Sequence, residues 1–395
     1  MHERGPLQGV RVLDLSTVLS GPLATVLLAD QGADVIKIEA PGAGDLTRMV
    51  GSRNNDMTAM FCLANRGKRS LVLDLSGDSG RAVLRRLAEK ADVLIQNFRP
   101  GVADRMGIGY DQLRVVNAGL VYVSIAGFGF DGPLANLRVY DNLIQAVSGM
   151  AMVQGDADEP RPVQNLVCDK ITALTAAQAT TAALLARANG APGQHIRISM
   201  LDATVSFLWP DAGTAATLLS DDATVVPPRE GSSLTRHRDG WTTSAPVSDA
   251  EFRGWCRAFG APELADDPRF ATGRQRLTSP DLAAERRRVI ERARDLTVAE
   301  ALERLAAEGV GAVPVLAVND LPSHPQAICN GTFVERIHPV AGPMREPAPA
   351  ARFSATPAAV GVPAPLMGEH TDDILREAGW SDSDIRDLRA AGTVS

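Results

Sequence analysis

Val10-Arg11-Val12-Leu13-Asp14-Leu15, then Gly21-Pro22 with Leu23 to Asp30, then Gly32 and Asp34-Val35-Ile36-Lys37-Ile38-Glu39, is the stretch that decides the fold. The two outer runs are short, apolar and β-branched, as buried strands are. The first ends at Ser16 and Thr17. Gly21-Pro22 opens a helix between them, with Pro near the first helical position, and Gly32 stops it. The pattern repeats downstream. Ser70 to Leu75 reads as a third strand, and Ser79 to Lys90 as an amphipathic helix with Val83, Leu84 and Leu87 at helical spacing. Ala91 to Gln96 and Leu120 to Ala126 supply a fourth and a fifth strand. Alternating strands and helices predict an α/β fold, with a mainly parallel sheet covered on both faces. In such sheets ligands bind at the carboxyl ends of the strands.

Those ends carry Ser16 to Ser20, Glu39 with Pro41-Gly42-Ala43-Gly44-Asp45, Asn97-Phe98-Arg99-Pro100-Gly101, and Gly127-Phe128-Gly129. None matches G-x-G-x-x-G, which argues against a nicotinamide dinucleotide. Bases are plentiful nearby: Lys37, Arg48, Arg66, Lys68, Arg69, Arg99, Arg105 and Arg138. Arg and Lys beside glycine-rich turns suit phosphates, although any one of them alone reads as ordinary surface charge.

Outward from this core the chain has 395 residues, too many for one simple core. Its composition, 45% hydrophobic and 22% charged, is that of a globular protein, and the net charge of −7 argues against nucleic acid as a partner. No apolar run is long enough to cross a membrane. Met1-His2-Glu3-Arg4-Gly5-Pro6 lacks the layout of a signal peptide. Cys62, Cys168, Cys256 and Cys329 are scattered, which suits reduced thiols, so the cytoplasm is the expected compartment. No metal site is expected. Composition shifts near Leu219, dividing the chain into residues 1–219, a polar small α/β domain at 220–325, and 326–395. Within the small domain, Leu282 to Arg294 and Thr297 to Glu308 read as helices and Gly311 to Val318 as a strand. His338 to Pro365, rich in Pro and Ala, reads as an extended linker returning to the first domain, and Asp372 to Ala391 as helical.

Asp169 is the chief catalytic candidate. It follows a polar loop in Val167-Cys168-Asp169-Lys170 and precedes the Ala-rich run Ile171 to Ala188. A carboxylate where a loop enters a helix meets unpaired N–H groups that favour its ionised form. Such a group is either a helix cap or a nucleophile able to form a covalent acyl intermediate. Cys168, its neighbour, is the competing nucleophile, but no His lies nearby in sequence and a lone Cys is more often buried filler.

Taken together, these residues resemble the class III coenzyme A-transferases (CaiB/BaiF, the formyl-CoA transferase type), a family that also contains α-methylacyl-CoA racemases. The similarity runs through Val12-Leu13-Asp14-Leu15, Ser20-Gly21-Pro22, Leu28 to Glu39, Gly44-Asp45 and Asn65-Arg66-Gly67-Lys68-Arg69-Ser70. It continues through Asn97 to Gly101, Gly127-Phe128-Gly129, Asp131-Gly132-Pro133, Asp169, Gly193-Gln194, Ser199-Met200 and Ala364 to Thr371.

The resemblance implies a Rossmann-like large domain built from both chain ends, an inserted small domain, and an interlocked homodimer. It implies coenzyme A transfer from an acyl-CoA to a small carboxylic acid through an anhydride and a thioester on Asp169, with no permanently bound cofactor. At matching positions it places Lys37, Arg69, Asn97, Phe98, Arg99, Arg105, Met106 and Arg138 around the CoA. Phe98 and Met106 offer apolar surface to the adenine. Tyr140 reads either as a second catalytic residue or as a packing aromatic with its hydroxyl bonded; it stands where the racemase branch has a His followed by Asp, and a Tyr is a poor base at neutral pH. That favours transfer over two alternatives, a racemase-like isomerase and an acyl-CoA-binding protein without turnover. Leu19 and Thr17 replace a Gln and a His of formyl-CoA transferase. Its glycine-run loop has only Gly231-Ser232-Ser233 as a weak counterpart. These departures make formyl-CoA and oxalate poor substrate expectations.

Overall fold

In this computed structural model, which describes residues 5–156, 158–220, 222–223 and 234–395, β1 (Arg11–Asp14), α1 (Ser20–Asp30) and β2 (Asp34–Glu39) form as the opening stretch predicts. They are followed by β3 (Lys68–Val72), α2 (Asp78–Ala88), β4 (Val93–Gln96), β5 (Val121–Ala126), α3 (Asp141–Val147), α4 (Val167–Ala188) and β6 (His195–Ser199). The strands make one sheet in the order β3-β2-β1-β4-β5-β6. Every neighbouring pair is parallel. This is the doubly wound order, which reverses direction between β1 and β4.

Side-chain alternation builds the two faces. Val12, Val35, Val93 and Val121 point to one side, where Ala24, Leu28 and Ala29 of α1 pack with Cys168, Ala173, Ala176 and Ala177 of α4. Small Ala side chains let these helices lie close to the sheet and to each other. Leu13, Ile36, Leu94 and Tyr122 point to the other side, against Val83, Leu84 and Leu87 of α2. Ile374, Leu375, Ile385 and Val394 from the chain's far end join that second core.

The chain forms two compact units, one running up to Asp211 and taking in Cys329–Ser395, the other Ala212–Ile328. The second unit has a three-stranded antiparallel sheet, with Trp241–Ser244 between Leu234–Arg236 and Ala312–Pro314. Phe252, Trp255, Phe259, Phe270 and Leu305 fill its core.

Two expected elements differ. The stretch His338 to Pro365 is not wholly extended, because Phe333–His338 pairs with Gly342–Pro347 in an antiparallel hairpin. The His338 ring closes the turn by accepting the N–H groups of Val340 and Ala341, at 3.0 and 3.1 Å. A turn held by an imidazole lacks the Asn-Gly type of signature. The C-terminal helix is two, Thr371–Glu377 and Asp382–Ala390, because Gly379 adopts φ +92° and Ser381 starts a new capping box.

Candidate active site

Because the strand order reverses between β1 and β4, the loops after those strands diverge and leave a crevice. Thr17, Val18 and Ser20 line it after β1, and Asn97, Phe98, Arg99 and Pro100 after β4. Leu137, Arg138, Val139 and Tyr140 close one side, and Asp169 and Met200 lie in the same cleft. Two glycines leave room for neighbouring side chains beside the cleft. A Cβ on Gly21 would stand 2.2 Å from the Ser16 Cβ, and one on Gly127 would stand 2.2 Å from Val139. Asn97 ties the two diverging loops together, accepting the Thr17 N–H at 2.9 Å and donating to the Thr17 carbonyl at 2.8 Å.

Asp169 is not the cap of α4. The capping position belongs to Leu166, and Asp169 sits in the first turn, with its side chain 8% exposed. It shares the cleft with Ser20, whose hydroxyl and backbone N–H favour its ionised form. Ser20 begins α1, so the N-termini of α1 and α4 converge on one carboxylate. That should favour the anion. Burial opposes it, the negative charge of Asp141 adds to that, and together they outweigh Ser20 and Lys170, pushing the Asp169 carboxyl up to about 6. The expectation that helix N–H groups would dominate is therefore corrected, because desolvation wins. That value still lies below neutral pH, so the anion predominates there.

Asp141, in the first turn of α3, is 2% exposed. It accepts the Asp169 N–H at 3.0 Å and the Gln145 side-chain N–H at 2.6 Å. Gln145 is itself fixed by accepting the Val163 N–H at 2.8 Å. Tyr140, just before α3, is 50% exposed, and its hydroxyl has no hydrogen bond among the described residues, so it is not a packed core aromatic. Cys168 is fully buried against the sheet, and burial pushes its thiol up to about 11, which removes it as a nucleophile.

Of the bases assigned to CoA, Arg99 and Arg138 are exposed in the cleft and have no ion pair among the described residues. Phe98 lines the cleft and packs on the core below. The others are not brought to it. Lys37 is fully buried and salt-bridged to Asp45 at 2.8 Å, so it has no face to offer a phosphate. Arg69 pairs with Asp34 and Glu377 at the amino-terminal edge of the sheet, opposite the cleft. Arg105 is exposed on the short helix Val102–Arg105, and Met106 packs against the core; neither lines the cleft. Ser20 and Asp141 are the site residues that sequence alone did not assign. Gly231-Ser232-Ser233 lies outside the described residues. Among the described residues no His, Cys, Asp and Glu cluster could hold a metal ion, and no helix is long and apolar enough to cross a membrane.

The cleft therefore offers one poised carboxylate, two unpaired guanidinium groups and an apolar wall. A sequence profile of CoA-transferase family III matches residues 7–371. Acetyl-CoA:oxalate CoA-transferase of Acetobacter aceti is 36% identical over 84% of this chain and 86% of its own. Formyl-CoA:oxalate CoA-transferase of Streptomyces avermitilis is 33% identical over 98% of this chain and 99% of its own. The crystal structure of a CAIB/BAIF family protein from Brucella suis superposes with a TM-score of 0.82 at 32% identity, covering 95% of this chain and all of that one.

Proposed function

Because the chain belongs to CoA-transferase family III, we propose that it moves coenzyme A from an acyl-CoA to a small carboxylic acid through covalent intermediates on Asp169. The observation that carries this is the buried Asp169 carboxylate in the switch-point cleft, raised to about 6 yet ionised at neutral pH. It attacks the thioester carbonyl, the C–S bond breaks, and CoA leaves as thiolate from a mixed anhydride. The thiolate then attacks the Asp169 acyl carbon, releasing the donor acid as carboxylate and leaving an aspartyl-CoA thioester. The acceptor carboxylate attacks that thioester and expels CoA thiolate again. Attack of the thiolate on the acceptor acyl carbon yields the new acyl-CoA and restores Asp169. Each step conserves the thioester energy only while water is kept from the intermediates.

Arg99 and Arg138 are suited to the phosphates of CoA, being charged, exposed and unpaired. A racemase needs a base on each face of the α-carbon. Asp141 does not supply the second, since both of its oxygens are engaged. A homodimer of interlocked chains belongs to the same proposal. Leu174 and Leu185 on α4, and Phe207 and Trp209 on the helix Met200–Ala212, are 46% to 63% exposed in the single chain and are natural surfaces for a second copy. Sedimentation across a wide dilution range should show one dimeric species, and a fully active monomer refutes it.

The deciding experiment incubates the protein with a panel of acyl-CoA thioesters and acids, with hydroxylamine present, and reads products and peptides by mass spectrometry. Transfer should occur with modification confined to Asp169, and Asp169→Ala should lose it by several orders of magnitude. An Asp169→Ala protein transferring at the parent rate sinks the mechanism.

A further inference from the structure

Beneath the cleft lie charges for which this chemistry has no use. Lys37 and Asp45 are both fully buried and paired at 2.8 Å. A buried ion pair is often no more stabilising than apolar side chains of the same volume, so its presence calls for another reason. The Asp45 carboxylate is fixed on several sides: one oxygen takes Lys37, while the other accepts the Thr47 N–H at 2.9 Å and its hydroxyl at 2.7 Å. That second oxygen also accepts the N–H of Val18, at 3.2 Å. Lys37 donates in addition to the Ser16 carbonyl. One buried pair thus grips the loop between β1 and α1 on both sides of Thr17, which Asn97 already holds.

Val18 sits at φ +70°. For a β-branched residue this left-handed conformation is unfavourable and persists only where its surroundings impose it. Two residues on, Ser20 lines the same cleft as Val18 and Asp169, with its hydroxyl and N–H placed to favour the Asp169 anion.

We propose that Asp45, backed by Lys37, is a positioning residue that holds Val18 in the left-handed conformation and so sets Ser20 on the Asp169 carboxylate. The inference deepens the transferase reading and rests on it for its catalytic consequence, but the placement of Ser20 can be read without turnover. Removing Asp45 alone would strand the buried Lys37 charge, so the test uses two charge-neutral double variants of the full chain. Lys37→Met/Asp45→Asn keeps an oxygen for the Val18 N–H; Lys37→Met/Asp45→Leu keeps none.

The Asp169 carboxyl is titrated by difference infrared spectroscopy against Asp169→Asn in each background. Asp141 and Lys170, the charged groups facing it, are the same in both. Losing Ser20's donors should move the titration of the Leu variant to higher pH than that of the Asn variant. Its kcat should fall about 10- to 100-fold, with KM for acyl-CoA within about threefold, as for a misplaced reacting group. Identical titrations overturn the proposal, whether or not transfer continues. Titrations that separate as stated in a protein with no transfer uphold the positioning and sink the transferase reading instead. Val18→Gly in the otherwise unchanged chain reads the strain even if the Leu variant fails to fold. Glycine enters φ +70° freely, so the thermal midpoint should not fall, and a clear fall overturns the proposal.

Discussion

The backbone N–H of Asp169 donates to the carboxylate of Asp141 at 3.0 Å, so the residue that orients the candidate nucleophile also repels its charge. Orientation and activation come from one contact. Held by Gln145 on its other oxygen, Asp141 cannot swing away to relieve the repulsion. A carboxylate raised to about 6 is a stronger nucleophile than an ordinary one and still ionised at neutral pH.

Asp141→Asn tests that dual role. It removes the negative charge and leaves an oxygen for the Asp169 N–H. The acid limb of the kcat profile, expected near the Asp169 value of about 6, should move to lower pH. Asp141→Ala removes the orientation as well and should cost about 100-fold in kcat. An acid limb that stays in place in Asp141→Asn would show that the charge has no influence on the nucleophile.

Stability should carry the opposite sign to activity. Asp169 is raised from 3.8 to about 6, so between those values the native chain holds a proton that the unfolded chain has lost. Stability therefore falls as pH rises through that window, and the cost is fully present above pH 6. About two pKa units correspond to roughly 3 kcal/mol at most. Asp169→Asn should then be more stable than the parent at pH 7.5, by about 1–3 kcal/mol in urea unfolding. The advantage should vanish near pH 4. A parent more stable than Asp169→Asn at pH 7.5 would mean that Ser20 and the helix ends outweigh burial after all.

The parallel sheet was legible because alternation such as Val12/Leu13 and Val35/Ile36 is a property of adjacent residues. β6 was not: it lies at the sheet edge, and His195 and Arg197 on its exposed positions break the apolar run that marks a central strand. Of the residues that converge, Asn97, Phe98, Arg99, Arg138 and Tyr140 come from loops after strands and before helices, and Asp169 from the first turn of a helix. Lys37 and Arg69 were misplaced because a charge in a sequence does not announce which way it points. Lys37 is consumed by Asp45, eight positions on, and Arg69 lies at the start of its strand rather than its end. Ser20 and Asp141 gain meaning only when the strand order brings α1 and α3 to the same end of α4.

The two sets of arginines should separate by kinetics. Arg99→Ala and Arg138→Ala remove unpaired cleft charges, so each should raise KM for acyl-CoA about tenfold with kcat nearly unchanged. Arg69→Ala breaks pairs to Asp34 and Glu377 on the far edge and should leave KM alone. Its effect should be a loss of about 1 kcal/mol in stability, the scale of partly exposed ion pairs. A KM rise in Arg69→Ala matching that of Arg138→Ala would return Arg69 to the binding site.

The sharpest division between transfer and isomerisation lies at the α-carbon of the acyl group. Inverting that carbon requires one base to remove its proton and a second acid on the opposite face to return one. In the described cleft Asp169 is the one carboxylate open to a substrate, because Asp141 is buried with both oxygens bonded. Among the described residues no His lines the cleft, and a phenol is in general a weak base at neutral pH. Attack by Asp169 on the carbonyl and abstraction of the neighbouring proton also compete for the same oxygen. Run in deuterium oxide with a chiral 2-methylacyl-CoA and an acceptor acid, the protein should pass CoA to the acid while the α-carbon keeps its proton and configuration. Deuterium uptake with loss of chirality, and no CoA reaching any acid, would reverse the assignment.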